Sequence, residues 1–298
     1  MDIIKAIASE LNVRNGQVEA AVKLIDEGCT IPFISRYRKE ATGALNDEQL
    51  RNLDERLKYL RNLEDKKAQV IESIEEQGLL TDELKAQIEK AGTMVAVEDL
   101  YRPYRPKRRT RATIAKEKGL EPLANVIMLQ MTKEPLVKAA EAYVSGDKGV
   151  NTPEEAIAGA MDIIAELISD NADYRTRIRE ITFKEGILSS TAKDADAKTV
   201  YEMYYNFTEP VAKMAGHRIL AVNRGENEKI LTVKIEAPED KILSYLEKQI
   251  IVRDNINTVQ ALKDCIRDSY ERLIAPSIER EIRNQLTETA EDGAIKVF

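Results

Sequence analysis

Residues 100–112 read Leu-Tyr-Arg-Pro-Tyr-Arg-Pro-Lys-Arg-Arg-Thr-Arg-Ala. Arg102, Arg105, Lys107, Arg108, Arg109 and Arg111 place six positive charges and no acid in this stretch, with Tyr104 among them. Guanidinium groups match the oxygens of a phosphate in bidentate geometry, and an aromatic ring can stack on a base. Pro103 and Pro106 oppose a regular helix and are expected to hold the backbone extended, so that the cations could follow a phosphate chain. The alternative is an internal strap whose arginines pair with carboxylates on neighbouring helices.

A second group, Pro32-Phe33-Ile34-Ser35-Arg36-Tyr37-Arg38-Lys39-Glu40, is followed by Thr42-Gly43. Arg36, Arg38 and Lys39 beside Tyr37 again suit a phosphate contact, and Gly43 permits a positive φ in the turn that follows. Phe33 and Ile34 favour the other reading, a buried connector.

Signals for covalent or acid-base chemistry are poor. His217 is the only histidine, and no Gly-x-Ser-x-Gly nucleophile motif accompanies it. A structural hydrogen bond is the expectation for it. Neither Gly-x-x-x-x-Gly-Lys nor Gly-x-Gly-x-x-Gly is present. Asp194 and Asp196 could hold Mg²⁺, but in a chain with 52 acids such pairs arise by chance. Cys29 and Cys265 are too few for a disulfide framework and lack zinc spacing, so both are expected as buried thiols in a reducing cytosol. No catalytic residue, metal site or cofactor is expected.

The elements that must carry these residues are mostly helical. Aromatic residues make up 5% of the chain and charged residues 33%, with no Trp, as in helix-rich proteins. Ile3, Ile4, Ile7 and Leu11, then Val18, Ala21, Val22 and Ile25, outline two short amphipathic helices around Asn15-Gly16. A helix-turn-helix fits this pattern, as does any packed pair of short helices. Asn46 with Gln49 forms a capping-box signature, and Leu50, Leu53, Leu57 and Leu60 start a stripe that reaches Ile74 before Gly78. That predicts a spine helix of about 30 residues, roughly 45 Å long. Its heptad fails at Glu64 and Lys67, which favours packing within one chain over a coiled-coil dimer.

Further helices are expected from Thr81, Pro122, Thr152-Pro153, Tyr174 to Phe183, Ala192 to Phe207, Glu239, Thr258 and after Pro276. Between Arg218 and Glu236 the period changes. Ile219, Ala221, Ile230, Val233 and Ile235 alternate around Gly225, predicting a β-hairpin with an exposed turn.

The net charge is −7, so the chain as a whole repels polyanions and any nucleic-acid contact must be local. No apolar run approaches the roughly 20 residues that span a bilayer, and the N-terminus lacks signal-peptide order. A soluble, cytoplasmic protein without membrane association is expected.

Four strings acquire meaning together: Arg-Tyr-Arg-Lys-Glu-Ala-Thr-Gly at 36–43, the basic strip at 100–112, His-Arg-Ile-Leu-Ala-Val-Asn-Arg-Gly-Glu at 217–226, and Ala-Pro-Ser-Ile-Glu-Arg-Glu at 275–281. In order and along essentially the whole chain, they resemble the N-terminal region of the Tex family of bacterial transcription accessory proteins. The resemblance implies a continuation into RNase H-like, helix-hairpin-helix and S1 domains, before all of which this sequence is expected to stop. It implies a helical scaffold that contacts RNA or DNA weakly, RNA polymerase or other transcription proteins, and the family's own C-terminal domains. A purely protein-binding module and a metal-dependent nuclease are the other readings.

The expected fold is mainly α: a multi-helix bundle with a long spine, helix-turn-helix-like elements and one small hairpin at about 217–236. An N-terminal helical domain at 1–190 and a connector at 191–298 are expected. Far-UV circular dichroism should show helix well above the one-third typical of globular proteins; a spectrum at that average would refute the architecture.

Overall fold

The computed structural model describes residues 2–295, with side chains to 293. The chain forms two compact units that meet in sequence at Tyr104 and Arg105.

The first unit is helical. In α1 (Ile3–Leu11) the Asp2 side chain accepts from the Lys5 N–H, and the left-handed Asn12 ends the helix at φ 54°. α2 (Asn15–Asp26), α3 (Ile31–Tyr37) and α4 (Asp47–Glu76) follow. The capping box of α4 is present, with Gln49 N–H donating to Asn46 Oδ1 at 2.8 Å and Asn46 N–H to Gln49 Oε1 at 3.0 Å. Leu50, Leu53, Leu57, Leu60, Leu63, Val70 and Ile74 are buried along one face of α4 and join Ile7, Val18, Ala21 and Ile34 in one core. Lys67, where the heptad breaks, lies inside the stripe: it is 4% exposed and its Nζ reaches Glu64 Oε1 at 2.8 Å and the Glu89 carbonyl at 2.9 Å. The break is thus an internally satisfied cation. α5 (Asp82–Lys90) and α6 (Met94–Tyr101), capped by Thr81 and Thr93, complete this unit.

The second unit starts with α7 (Arg111–Glu117), α8 (Glu121–Leu129) and α9 (Leu136–Ala140), which gather on α10 (Pro153–Asp170). Gly159 of α10 allows this approach, since a Cβ there would stand 2.3 Å from Leu120 Cδ1. α11 (Ala172–Glu185) leads into a three-stranded antiparallel sheet of β1 (Ile187–Ala192), β2 (Asn206–Pro210) and, beyond α12 (Gly216–Asn227), β3 (Leu231–Glu236). Its order is β2-β1-β3, with Ser189 opposite Thr208 and Lys234. α13 (Glu239–Ile250), α14 (Val259–Asp268) and α15 (Ala275–Ile295) close the unit.

Several sequence expectations change here. The first half of the expected hairpin is helix α12. Its inward residues are Ile219, Val222 and Gly225, three apart, so the alternation of Ile219 and Ala221 was accidental. Gly225 is buried within the helix rather than exposed in a turn, and a Cβ there would lie 2.6 Å from Leu231 Cδ1. Its role is to let α12 lie close on β3. The helix expected from Ala192 to Phe207 is instead the end of β1, a loop, one 3₁₀ turn (Glu202–Tyr204) and the start of β2. The aromatic spacing there comes from Tyr201 and Tyr204 entering the core and from Tyr204 packing edge-on against Phe207 at 5.3 Å. The division expected near residue 190 falls inside β1. The helix expected after Pro276 is α15, and a π turn (Ser269–Ile274) joins it to α14, with the Ala275 N–H donating to the Tyr270 carbonyl. A wider turn just before proline accommodates its ring and its missing N–H. Of the cysteines, only Cys265 is buried, and its thiol is pushed up to about 12 by burial and by Asp264, Asp268 and Asp162 nearby; Cys29 is partly exposed.

No helix among the described residues is long and apolar enough to cross a membrane.

α11 and α15 are joined by a shared carboxylate. Arg175, fully buried, donates to Glu281 Oε1 at 2.6 Å and to Ser277 Oγ at 2.9 Å, while Arg179 donates to Glu281 Oε2 at 2.8 Å. Burial alone would raise the Glu281 carboxyl, but the charges of Arg175 and Arg179 and the bonds from Arg179 and Ser277 outweigh it and hold it below the ordinary glutamate range. A depressed carboxyl stabilises the fold above the ordinary glutamate value, and that contribution fades as pH falls through its folded value. Glu281→Gln should therefore cost about 3–5 kcal/mol in urea denaturation at neutral pH and flatten the acid limb of the stability curve. An unchanged midpoint and acid limb would remove this role.

Candidate nucleic-acid interface

Helix α3 is short, with Thr30 before it and Pro32 in its first turn, where proline needs no N–H partner. Ile34 is fully buried and anchors the helix. Phe33 and Tyr37, four apart and therefore on one face, point outward at 39% and 67% exposure. Their centroids are 5.3 Å apart, and the Arg38 guanidinium carbon lies 5.5 Å from the Phe33 ring centre. The connector reading holds for Ile34 and fails for Phe33.

The chain after α3 is folded into a fixed turn. Thr42, fully buried, donates its hydroxyl to the Arg38 and Lys39 carbonyls at 3.3 Å each, and the Ala44 N–H donates to the Lys39 carbonyl at 2.7 Å. Gly43 has φ 60°, as its position required, and its carbonyl accepts from Gln17 Nε2 at 2.8 Å. Arg36, Arg38 and Lys39 are exposed around this turn, and none of them enters an ion pair among the described residues.

The 102–111 strip is built differently from the expectation. Arg102 has φ −49° and ψ −44°, helical values, and its N–H closes α6 on the Glu98 carbonyl at 2.9 Å. Tyr104 N–H then donates to the Tyr101 carbonyl at 2.9 Å, so the strip opens in a turn rather than in extended chain. Gln77 Nε2 holds the Tyr104 carbonyl at 3.0 Å, and the Tyr101 and Ser73 hydroxyls meet at 3.0 Å.

Arg105 to Arg111 belong to the second unit. Lys107 bonds Glu166 Oε1 at 3.0 Å and also Asp170, with 24% of its side chain exposed. Arg111 is the first residue of α7, capped by Thr110, and is exposed; its charge adds to the Arg272 hydrogen bond that holds the Asp268 carboxyl low, and it only partly opposes the burial that raises Asp162. Lys107 thus serves as an internal strut. Arg108 and Arg109 face solvent, Arg109 in an exposed pair with Glu117 at 3.3 Å.

Within the first unit the two groups do not converge. The Lys39–Ala44 turn adjoins the start of α4, whereas Tyr104 is tied to its end at Gln77, about 45 Å away at 1.5 Å per residue. α2 exposes Glu19, Lys23 and Asp26, the last paired with Arg61, which is no cationic face for a DNA groove. His217 lies in the first turn of α12 and lines a cavity of about 630 Å³ with Phe183, Met214, Leu220 and Leu286. Asp194 accepts the Asp196 N–H at 3.0 Å in a local turn, and no cluster of three potential metal ligands occurs among the described residues.

Residues 1–75 match the Tex-like protein N-terminal domain, and residues 130–298 match the Tex central region-like domain. The chain belongs to the Tex family. Among its relatives, the Bacillus subtilis protein YdcI is 50% identical over 98% of this chain and 41% of its own length. The transcriptional accessory protein Tex of Neisseria gonorrhoeae is 40% identical over 100% of this chain and 40% of its own. The human S1 RNA-binding domain-containing protein 1 is 27% identical over 100% of this chain and 31% of its own. This Tex-family chain thus spans about two fifths of the bacterial relatives it matches. The exposed Phe33–Tyr37 pair is the feature of the site that the sequence reading missed; its only signal was aromatic spacing of four on a helix opened by proline.

The split within the strip is measurable. Lys107→Ala leaves Glu166 and Asp170 facing each other without their cation and should lower the melting temperature by a few degrees, about 1–3 kcal/mol, whereas Arg108→Ala should stay within about 0.5 kcal/mol. Equal effects in thermal denaturation would contradict the division into strut and free cation.

Proposed function

We propose that this chain is a non-catalytic scaffold and interaction module of a Tex-type transcription accessory protein, and that it contacts nucleic acid weakly and without base preference. The observation that carries the reading is α3, where two exposed rings stand beside Arg36, Arg38 and Lys39 on a rigid turn. Rings stack on any base, and unpaired cations neutralise phosphates. Arg108 and Arg109 supply a second contact in the other unit, with Arg105 and the turn at Arg102 and Tyr104 flanking the strip. The net charge of −7 provides no long-range attraction, so affinity resides in these local groups.

RNA polymerase or other transcription proteins, and the C-terminal domains of the longer family members, are the proposed protein partners, in the cytoplasm. The name of the human relative, which refers to RNA binding, favours RNA as the polymer. Lys107, committed to Glu166 and Asp170, favours a second reading in which the strip serves structure and the module binds protein alone. Absence of chemistry is part of the proposal: Mg²⁺-dependent turnover of RNA that survives purification and is lost on changing one acid would overturn it.

The nucleic-acid contact is tested by titrating labelled single-stranded RNA across a salt series. Each phosphate neutralised contributes about 0.7 to the log-log slope, so Arg36→Ala, Arg38→Ala and Lys39→Ala together should lower it by roughly 2. Tyr37→Ala should cost about 1–3 kcal/mol of binding with little change in slope. Retained affinity and slope in both variants would leave the protein-only reading.

A further inference from the structure

Gln130 follows α8 in the left-handed conformation, φ 54°, and is 3% exposed. Its side chain is saturated by the chain that follows α13: Nε2 donates to the Ile250 carbonyl at 2.7 Å, and Oε1 accepts from the Val252 and Arg253 N–H groups at 3.1 and 3.0 Å. In return Asn255 Nδ2 donates to the Gln130 and Thr132 carbonyls at 3.0 and 2.9 Å, and Asn257 Nδ2 reaches the Thr132 carbonyl at 3.3 Å. Amide side chains thus bind two irregular segments into one rigid ridge.

What the ridge displays is apolar. Leu129 and Met131, on either side of Gln130, are 64% and 61% exposed; Val252 and Ile256, on the facing segment, are 71% and 88% exposed. Single exposed apolar side chains are ordinary, but four on one clamped ridge form a patch of the kind that marks an interaction site. Hydrogen bonds hold the two segments in place, and among the described residues these four side chains stay open to solvent. Fixing them beforehand removes the entropy cost of ordering a surface on binding.

The charges around the ridge select the partner. Lys133, Lys248 and Arg253 are exposed and enter no ion pair among the described residues, while Glu134 is already engaged by Lys138 at 3.0 Å, leaving Asp254 as the acid of the ridge. In a chain of net charge −7 this is a local excess of positive charge. Branched and thioether side chains lack the flat rings on which bases stack, so the surface suits protein rather than nucleic acid.

We infer that the Leu129–Met131–Val252–Ile256 ridge docks an acidic, apolar segment of a partner protein, in which two or three aliphatic or aromatic side chains are flanked by carboxylates. This site is separate from α3, and its failure would leave the nucleic-acid reading untouched.

The test is selection of a random short-peptide phage library on the purified chain, followed by affinity measurement of the selected peptides by fluorescence anisotropy. Selected sequences should combine apolar residues with Asp or Glu. They should lose about tenfold or more in affinity on Val252→Ser with Ile256→Ser, and separately on Lys133→Glu with Arg253→Glu. All four positions are exposed, and the charge variant leaves the apolar ridge intact, so a folding defect in one pair does not remove the other arm. Basic or charge-free selected peptides, or peptides that bind both variants undiminished, would overturn the proposal. So would self-association in sedimentation that the serine variant abolishes, which would make a second copy the occupant, or RNA affinity lost in these same variants, which would make the ridge a nucleic-acid contact.

Discussion

The first unit depends on burying one stripe of a 30-residue helix. Leu50, Leu53, Leu57, Leu60, Leu63, Val70 and Ile74 each gain on the order of 1.5–3 kcal/mol on leaving water, more than the loops around them could supply. To cover this stripe, α1, α2, α3, α5 and α6 must lie against α4, and their directions follow from it. Ile34 is the contribution of α3 to that core, and its insertion turns Phe33 and Tyr37 outward. The aromatic platform is therefore a consequence of core packing, with its neighbouring turn held by Thr42, Gly43 and Gln17.

Charge has a different logic in the second unit. Several cations there are held by carboxylates in pairs that are structural. Glu281 holds Arg175 and Arg179, Glu226 holds Arg283, and Glu166 with Asp170 holds Lys107. Arg283 also reaches the Val233 carbonyl at 3.5 Å, and the Ile235 N–H donates to Glu279 at 2.8 Å, so α15 satisfies backbone groups on the outer edge of β3. An edge so covered cannot recruit another strand. A cation left in solvent beside exposed rings, as at Arg36, Arg38 and Lys39 in the first unit, carries more information than the local density of basic residues.

Much of the architecture was legible because the signals were local. The capping residues Asn46, Thr81 and Thr152 determine helix starts by bonding their own next turn, and the α4 stripe repeats often enough to outweigh Glu64 and Lys67. The failures lie where short segments carry period information for too few residues. Ile219 and Ala221 imitated a strand, and the tyrosines at 201, 204 and 205 imitated a helix, because each motif was set by a neighbour distant in sequence.

The amino-acid sequence alone determined the helical class, the spine, the family and the two basic strings, since all of these depend on residue type and spacing along the chain. Which cations remain available was decided only by tertiary structure. Lys107 looks no different from Arg108 in sequence, yet α10 brings Glu166 and Asp170 to one and leaves the other in water. Phe33 and Ile34 are equally apolar, and only the orientation of α3 on its core sends one outward. The Gln130 clamp likewise joins residues more than a hundred positions apart, a relation that pairing through space creates and that no local pattern encodes.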